Sequence, residues 1–358
     1  MMVLQEELAA LRRDIDRIDE GLAALLEKRV EIARRIGATK EGAPVFDPAR
    51  EVSVLQHVQE SCSAIPPTSV QAIWREIFAL CRDVQRPLRV AALGPEGSFS
   101  AEAARRFLGA APDLTFHHAI PEVFRHVGLG DADLGVVPIE NSFEGAVLAT
   151  LDAFSACPKG IRIQQEISLP VRHVLASRES SLDAVREVHS HPQALAQCRR
   201  WLDTHLPGAV LVSAESTSAA AERSKGLPGG AAICSDAARE RHGLLLLAAD
   251  MQERSDNMTR FWLIGRGTPH PSARDKTSLL FNVRHEPGAL FHAMEPLRRG
   301  RCNLTHIQSR PLPGNPFEYL FFVDVLGHEG EEPLTSALEE MGARCTFLRL
   351  LGSYPVLA

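Results

Sequence analysis

The stretch LQEELAALRRDIDRIDEGLAALLEKRVEIARRIGATK, residues 4–40, decides how the chain begins to fold. Leu4, Leu8, Leu11, Ile15, Ile18, Leu22 and Leu25 recur in steps of four and three. That spacing is a heptad seam along one face of a helix. No proline interrupts before Pro44, so the helix can run to about Lys40. At ~1.5 Å per residue it is roughly 55 Å long, and a helix of that length needs partners to cover its seam. Asp47-Pro48 starts a second helix, an N-cap followed by proline at the first position. Pro66-Pro67 breaks the chain before a third, with Thr68 and Gln71 spaced as a capping box. Residues 4–85 therefore read as all-α.

Charges sit where the seam calls for apolar groups. Ile32 and Ile36 continue the pattern, but Arg29 occupies the slot four after Leu25, and Lys40 stands four after Ile36. A guanidinium facing a core is costly unless it meets an anion. Either Arg29 snorkels out or pairs with a structural carboxylate, or it serves a ligand. Eleven residues separate Arg29 from Lys40, close to three turns, so they share a face ~16 Å apart. Two long side chains converging from that distance leave room for a small dianion. Arg12 lies ~25 Å up the same straight helix and reaches such a site only in a partner subunit. Asp47, Arg50, Glu51, Cys81 and Gln85 are polar or small groups placed to line the same pocket.

After the linker QRPLRV (85–90) the pattern changes to βα alternation. Strands are expected at 89–93, 114–118, 134–138, 167–176, 209–213, 231–234, 244–248 and 260–264, with helices at 100–108, 192–205 and 217–224. The alternation predicts an α/β segment with a largely parallel sheet, in two lobes. Four polar ends punctuate it. ALGPEGSFS (92–100) is a Gly-rich strand-to-helix turn, suited to anions but lacking the dinucleotide fingerprint. VVPIENSFEG (136–145) ends a strand with Glu140, Asn141 and Ser142. VHSHPQALAQC (188–198) offers Ser190, Gln193 and Gln197. DNMTRFWLIG (256–265) places Thr259 and Arg260 at the start of a strand. Ligands of open α/β sheets collect at strand carboxyl ends, so Thr259 either closes a turn or hands a proton to a ligand. A second linker, GRGTPHPSARDK (265–276), precedes a βαββαβ pattern of ferredoxin-like type, with strands at 278–284, 304–310, 318–326 and 345–351 and helices at 288–299 and 333–341.

The 358 residues carry a net charge of −6, which argues against a nucleic-acid protein. Seven scattered cysteines form no CxxC pair, so neither a metal site nor a disulfide framework is expected. The acidic N-terminus lacks a signal-peptide pattern, and the most apolar run, LLLLAA (244–249), is too short for a bilayer. A cytoplasmic protein without membrane contact is expected.

The residues now carry three resemblances. LRRDIDRIDEGLAALLEKRVEIARRIGATK with DPARE resembles the all-helical chorismate mutases, intertwined homodimers that rearrange chorismate to prephenate. The resemblance places Arg12 of the partner subunit and Arg29 at the substrate carboxylates. Lys40 and Gln85 fall at the ether oxygen, Asp47 and Glu51 at the ring hydroxyl, and Arg50 and Cys81 in the same pocket. Cys81 stands where some relatives carry a hydroxyl, and Gln85 where some carry Glu. GPEGSFS, PIENSFEG, SHPQALAQC and NMTRFWLIG, in that order, look like prephenate dehydratase, whose lobes resemble periplasmic binding proteins. That resemblance makes Thr259 the proton donor to the leaving hydroxyl. Asn141, Ser142, Ser190, Gln197 and Phe261 would position prephenate, and Arg260 would help balance its charge. EPGALFHAMEPLRRGRCNLTHIQSRP resembles the ACT regulatory domain. Its Gly288-Ala289-Leu290 and Ser309-Arg310-Pro311 match loops that bind L-phenylalanine between paired domains, while Phe291 and Gln308 depart from the pattern.

The implied architecture is a mutase unit over 1–86, a dehydratase unit over 88–266 and an ACT unit over 277–354, needing no cofactor. Two other readings use the same three segments. A ligand-responsive regulator would need a nucleic-acid-binding element, and no helix-turn-helix with a basic face is present. A scaffold with a decayed mutase unit conflicts with the complete set Arg12, Arg29, Lys40, Asp47, Glu51 and Gln85.

Overall fold

The computed structural model describes residues 2–39, 44–110, 112–254, 256–272, 274–312 and 318–356. Lys40 lies outside them. The N-terminal unit is α1 (Met2–Thr39), α2 (Pro48–Ser61) and α3 (Pro67–Asp83). Asp47 caps α2, its carboxylate accepting the Arg50 N–H at 3.0 Å. α3 starts at Pro67 with Pro66 as its cap and no side-chain capping bond. Thr68 therefore does not form the expected box, because the two prolines set the first turn. α1 meets α3 near its C-terminal end, where Gly37 lies against Gln85. Along the rest of α1 the seam is uncovered in a single chain, and Leu25 is 65% exposed.

The central unit is two-lobed. Its elements are β1 (Arg89–Leu93), α4 (Phe99–Leu108), β2 (Asp113–His117), α5 (Ile120–Leu129), β3 (Leu134–Asn141), β4 (Gly145–Ala146), α6 (Leu148–Ala156), β5 (Ile161–Pro170), β6 (Val174–Ser177), β7 (Glu187–Ser190), α7 (Pro192–Gln197), α8 (Arg199–His205), β8 (Val210–Ser213), α9 (Thr217–Ser224), β9 (Gly230–Cys234), α10 (Asp236–His242), β10 (Leu245–Ala248) and β11 (Met258–Arg266). The first sheet runs β2-β1-β3-β11-β5 with β4 on β3; the second runs β10-β6-β9-β7-β8. Both are mixed rather than largely parallel, since β11 is antiparallel to β3 and β5, and β6 to β9 and β10. The single strand expected at 167–176 is the end of β5 and the start of β6, on either side of a crossing between lobes. The helix expected at 192–205 divides at Cys198 into α7 and α8.

The C-terminal unit is β12 (Asp275–Asn282), α11 (Ala289–Arg299), β13 (Leu304–Pro311), β14 (Tyr319–Leu326), α12 (Leu334–Arg344) and β15 (Phe347–Pro355). Its antiparallel sheet runs β13-β14-β12-β15, the strand order of a βαββαβ unit. This unit shares a core with the first lobe. Phe154 meets Phe124 and Trp262 edge-to-face at 4.8 and 5.5 Å, and Leu280, Phe322, Leu351 and Tyr354 join the same cluster. Buried Arg349 donates to the carbonyls of Phe154, Cys157 and Pro158, at the end of α6 and just beyond it. β15 lies so close to β5 that a Cβ at Gly352 would stand 2.5 Å from the Ile163 carbonyl oxygen. Gly352→Val should therefore force the two units apart and cost about 1–3 kcal/mol, read as a lower denaturation midpoint.

Candidate active sites

Two constellations stand apart from the hydrophobic cores. The first is a cleft of 330 Å³ between the lobes, lined by Phe99, Asn141, His173, Gln197, Thr259 and Phe261 among others. Serines cap the helices that open on it from opposite lobes: Ser98 accepts the Ala101 N–H of α4 and Ser216 the Ala219 N–H of α9. Two helix N-termini favour an anionic ligand. Glu144 and Glu215 also reach the cleft.

The position of Thr259 follows from strand direction. β11 enters between β3 and β5 antiparallel to both, so its beginning lies beside the carboxyl end of β3, with Thr259 opposite Asn141. A residue at a strand's start thus joins a site built from strand ends.

Hydrogen bonds around Thr259 have a defined direction. The Phe143 and Glu144 N–H groups donate to Asn141 Oδ1 at 3.0 and 3.3 Å. That orients the Asn141 amide, whose Nδ2 donates to Thr259 Oγ1 at 2.9 Å and to Asn257 Oδ1 at 2.8 Å. Asn257 Nδ2 in turn donates to Gln197 Oε1 at 3.1 Å. Gln197 Oε1 is also 3.1 Å from His173 Nε2, so His173 carries its proton on Nε2. The Thr259 oxygen thus accepts from an amide, and among the described residues no acceptor takes its proton. Asn257 and His173 are members that sequence reasoning missed. Asn257 was visible beside Thr259 in DNMTRF, but His173 sits in a run that reads only as strand.

The other expected residues are placed differently. Ser190 is fully buried and donates to the Ile233 carbonyl at 2.6 Å, away from the cleft. Ser142 holds a turn, donating to Asp256 O and accepting the Met258 N–H at 3.0 Å. Arg260, expected to balance ligand charge, points to the opposite face of β11, where its guanidinium meets Glu140, Glu166 and Asp324.

The second constellation joins the three N-terminal helices. Arg29 Nη1 donates to Cys81 Sγ, with its guanidinium 5.6 Å from the Phe78 ring centroid. Gln85 Nε2 donates to the Cys81 carbonyl at 2.7 Å, while its buried Oε1 has no partner among the described residues. Glu51 is ion-paired with Arg82, a residue the sequence reading passed over. Desolvation lifts the Glu51 carboxyl above its ordinary range against the pull of Arg82, and Asp47 and Arg29 are near enough to act on it. Arg82 also donates to the Leu108 carbonyl of the central unit at 2.6 Å. Arg50 and Arg12 are exposed, the latter far up α1.

In the C-terminal unit, Gly288 adopts φ +78° as the cap of α11, a conformation that suits glycine. Ala289 and Leu290 open the helix. Ser309, Arg310 and Pro311 end the edge strand β13, and Arg310 forms an ion pair with Asp152 of α6 at 2.8 Å.

Comparison with known proteins follows these divisions. The family model for prephenate dehydratase matches residues 90–269 and that for chorismate mutase type II residues 11–86. A bifunctional chorismate mutase/prephenate dehydratase of Aquifex aeolicus is 39% identical over 357 residues, covering 98% of each chain. One of Pseudomonas aeruginosa is 39% identical over 363 residues, covering 99% of each. Among solved structures, prephenate dehydratase of Arthrobacter aurescens in complex with L-Phe is similar, with a TM-score of 0.68 and 34% identity, covering 75% of this chain and 89% of that one.

The cleft makes one prediction about charge. Burial lowers the His173 pKa, against the opposing hydrogen bond to Gln197. A base with a depressed folded pKa gives its full stability above the unfolded value of about 6.5 and loses it as pH falls. Histidine NMR, assigned by difference with His173→Gln, should find this ring titrating below the free-histidine value of about 6.5; titration at or above that value would contradict the buried tautomer.

Proposed function

Because the chain belongs to the bifunctional chorismate mutase/prephenate dehydratase family, we propose that its two constellations divide the work. The helical site rearranges chorismate, and the cleft takes prephenate. Chorismate becomes prephenate by a Claisen rearrangement; prephenate loses carbon dioxide and water to give phenylpyruvate.

Dehydration proceeds from Thr259. The ring hydroxyl departs with its bonding pair and takes a proton from Oγ1 to leave as water. The ring carboxylate departs as carbon dioxide, and its bonding pair completes the aromatic ring. Threonine is then reprotonated from solvent. A free hydroxyl is a feeble acid. Here the Asn141 amide donates to the oxygen that must carry the developing negative charge, in a preorganised site. That hydrogen bond is the observation that carries the assignment. Gln197, its Oε1 engaged by His173 and Asn257, keeps its Nε2 for substrate oxygens, and the N-termini of α4 and α9 suit the two carboxylates. Phe261 packs against the ring. Ser142 and Ser190 act at one remove, through the turn and strand they hold.

The rearrangement needs no nucleophile. It needs a held conformer and donors at the ether oxygen as the C–O bond breaks. Arg29 and Arg12 of the partner subunit take the carboxylates, Lys40 and Gln85 the ether oxygen, Asp47 and Glu51 the ring hydroxyl. Arg50 and Cys81 line the pocket. The uncovered α1 seam supports the homodimer this requires. The C-terminal unit is an ACT domain in this reading. It binds L-phenylalanine through residues 288–290 and 309–311 of paired copies, as feedback on both reactions' product line.

Ultraviolet absorbance separates the two reactions. Thr259→Ala should lower phenylpyruvate formation at least 100-fold and leave chorismate consumption intact; an unharmed dehydratase would refute the donor role. Gln85 donates as an amide and needs no protonated carboxylate. The mutase rate should therefore stay level from pH 6 to 8, and a collapse there that altering Gln85 relieves would count against it.

A further inference from the structure

A charged cluster gathered around Arg260 takes no part in either candidate site. Arg260 Nη1 lies 2.6 Å from Glu140, and its Nη2 lies 2.7 Å from Glu166 and 2.9 Å from Asp324. Glu140 and Glu166 belong to β3 and β5, the strands flanking β11; Asp324 belongs to β14 of the C-terminal unit. That unit supplies more of the cluster. Lys276 Nζ donates to Glu166 at 2.7 Å, Ser278 Oγ to Asp324 at 2.6 Å, and the Tyr354 hydroxyl lies 2.8 Å from Ser278. Trp262 Nε1 donates to Glu166 at 3.0 Å, and the Tyr354 hydroxyl does so at 3.4 Å. Asp324, Ser278, Lys276 and Tyr354 are all buried.

Its position gives the cluster meaning. Successive side chains of a strand face opposite sides. Thr259 and Phe261 face the cleft, so Arg260 faces the C-terminal unit. On β3 the same alternation holds: Asn141 pairs with Thr259, and Glu140 with Arg260. The ion pair therefore sits one residue behind the hydrogen bond that prepares the hydroxyl, on both strands at once. A guanidinium can bridge three carboxylates in fixed directions, which an ammonium cannot.

We propose that Arg260 is a positioning residue through which the C-terminal unit holds the Thr259–Asn141 pair, so that dehydration depends on a domain that touches no substrate. The proposal rests on Thr259 being the donor. Its test uses Asp324→Asn, which alters only the far side of the cluster, in the full-length protein. Dehydratase kcat should fall about tenfold with KM changed less than twofold, while the mutase rate stays constant. Combined with Arg260→Lys, the loss should be no greater than for Arg260→Lys alone, because both act through one contact. If Asp324→Asn lowers the melting temperature enough to obscure kinetics, Ser278→Ala offers a milder change, expected to lower kcat two- to threefold. Unchanged kcat in these variants, a loss confined to KM, or additive losses in the double variant would each overturn the proposal. An active Thr259→Ala protein would instead overturn the donor assignment, and leaves the dependence of kcat on Asp324 measurable on its own.

Discussion

The antiparallel insertion of β11 between β3 and β5 is the constraint on which the rest of the structure depends. The chain leaves the first sheet at Pro170 and returns to it at Met258 only after building the whole second lobe. Its direction brings its first residues to the carboxyl ends of the neighbouring sheet, where ligands of open α/β sheets gather. Its alternation gives Thr259 to the cleft and Arg260 to the C-terminal unit. A one-residue slip would exchange them. Register is held by Phe261, Leu263 and Ile264, all buried, and by the ion cluster around Arg260.

The units are joined by more than linkers. The C-terminal sheet lends Leu280, Phe322, Leu351 and Tyr354 to the core of the first lobe, and Arg349 reaches across to the end of α6. Arg82 plays a similar part at the other end, pairing with Glu51 in the helical site and donating to Leu108 of the central unit. A buried guanidinium adds little net stability unless its bonds are complete, and its fixed directions suit it to orienting a neighbour. Each candidate site thus lies beside an arginine that also contacts an adjoining unit.

Much of the fold was legible because its signals are local. The heptad of α1, the Asp47 cap and the β and α segments of the C-terminal unit all lie where periodicity and capping chemistry place them. The misses were of another kind. The capping box at Thr68 gave way to two prolines. The strand expected at 167–176 hid a crossing between lobes, since apolar residues run through both β5 and β6. The sheets proved mixed because strand direction has no signature in a strand's own composition.

The candidate sites divide along the same line. The sequence by itself determined the residue types, their order along the chain and the family they belong to, because motifs such as PIENS and NMTRF survive as contiguous strings. It also marked Arg29 as a cation on an apolar stripe. Only the tertiary structure decided which of these groups face one another. His173 entered the cleft, Asn257 bridged Asn141 and Gln197 from behind it, Ser190 turned to the Ile233 carbonyl, and Arg260 turned to the opposite face. The reason is physical: which side of a strand a residue occupies, and which partner completes a buried hydrogen bond, depend on pairing between segments far apart in the chain. No local pattern carries that information.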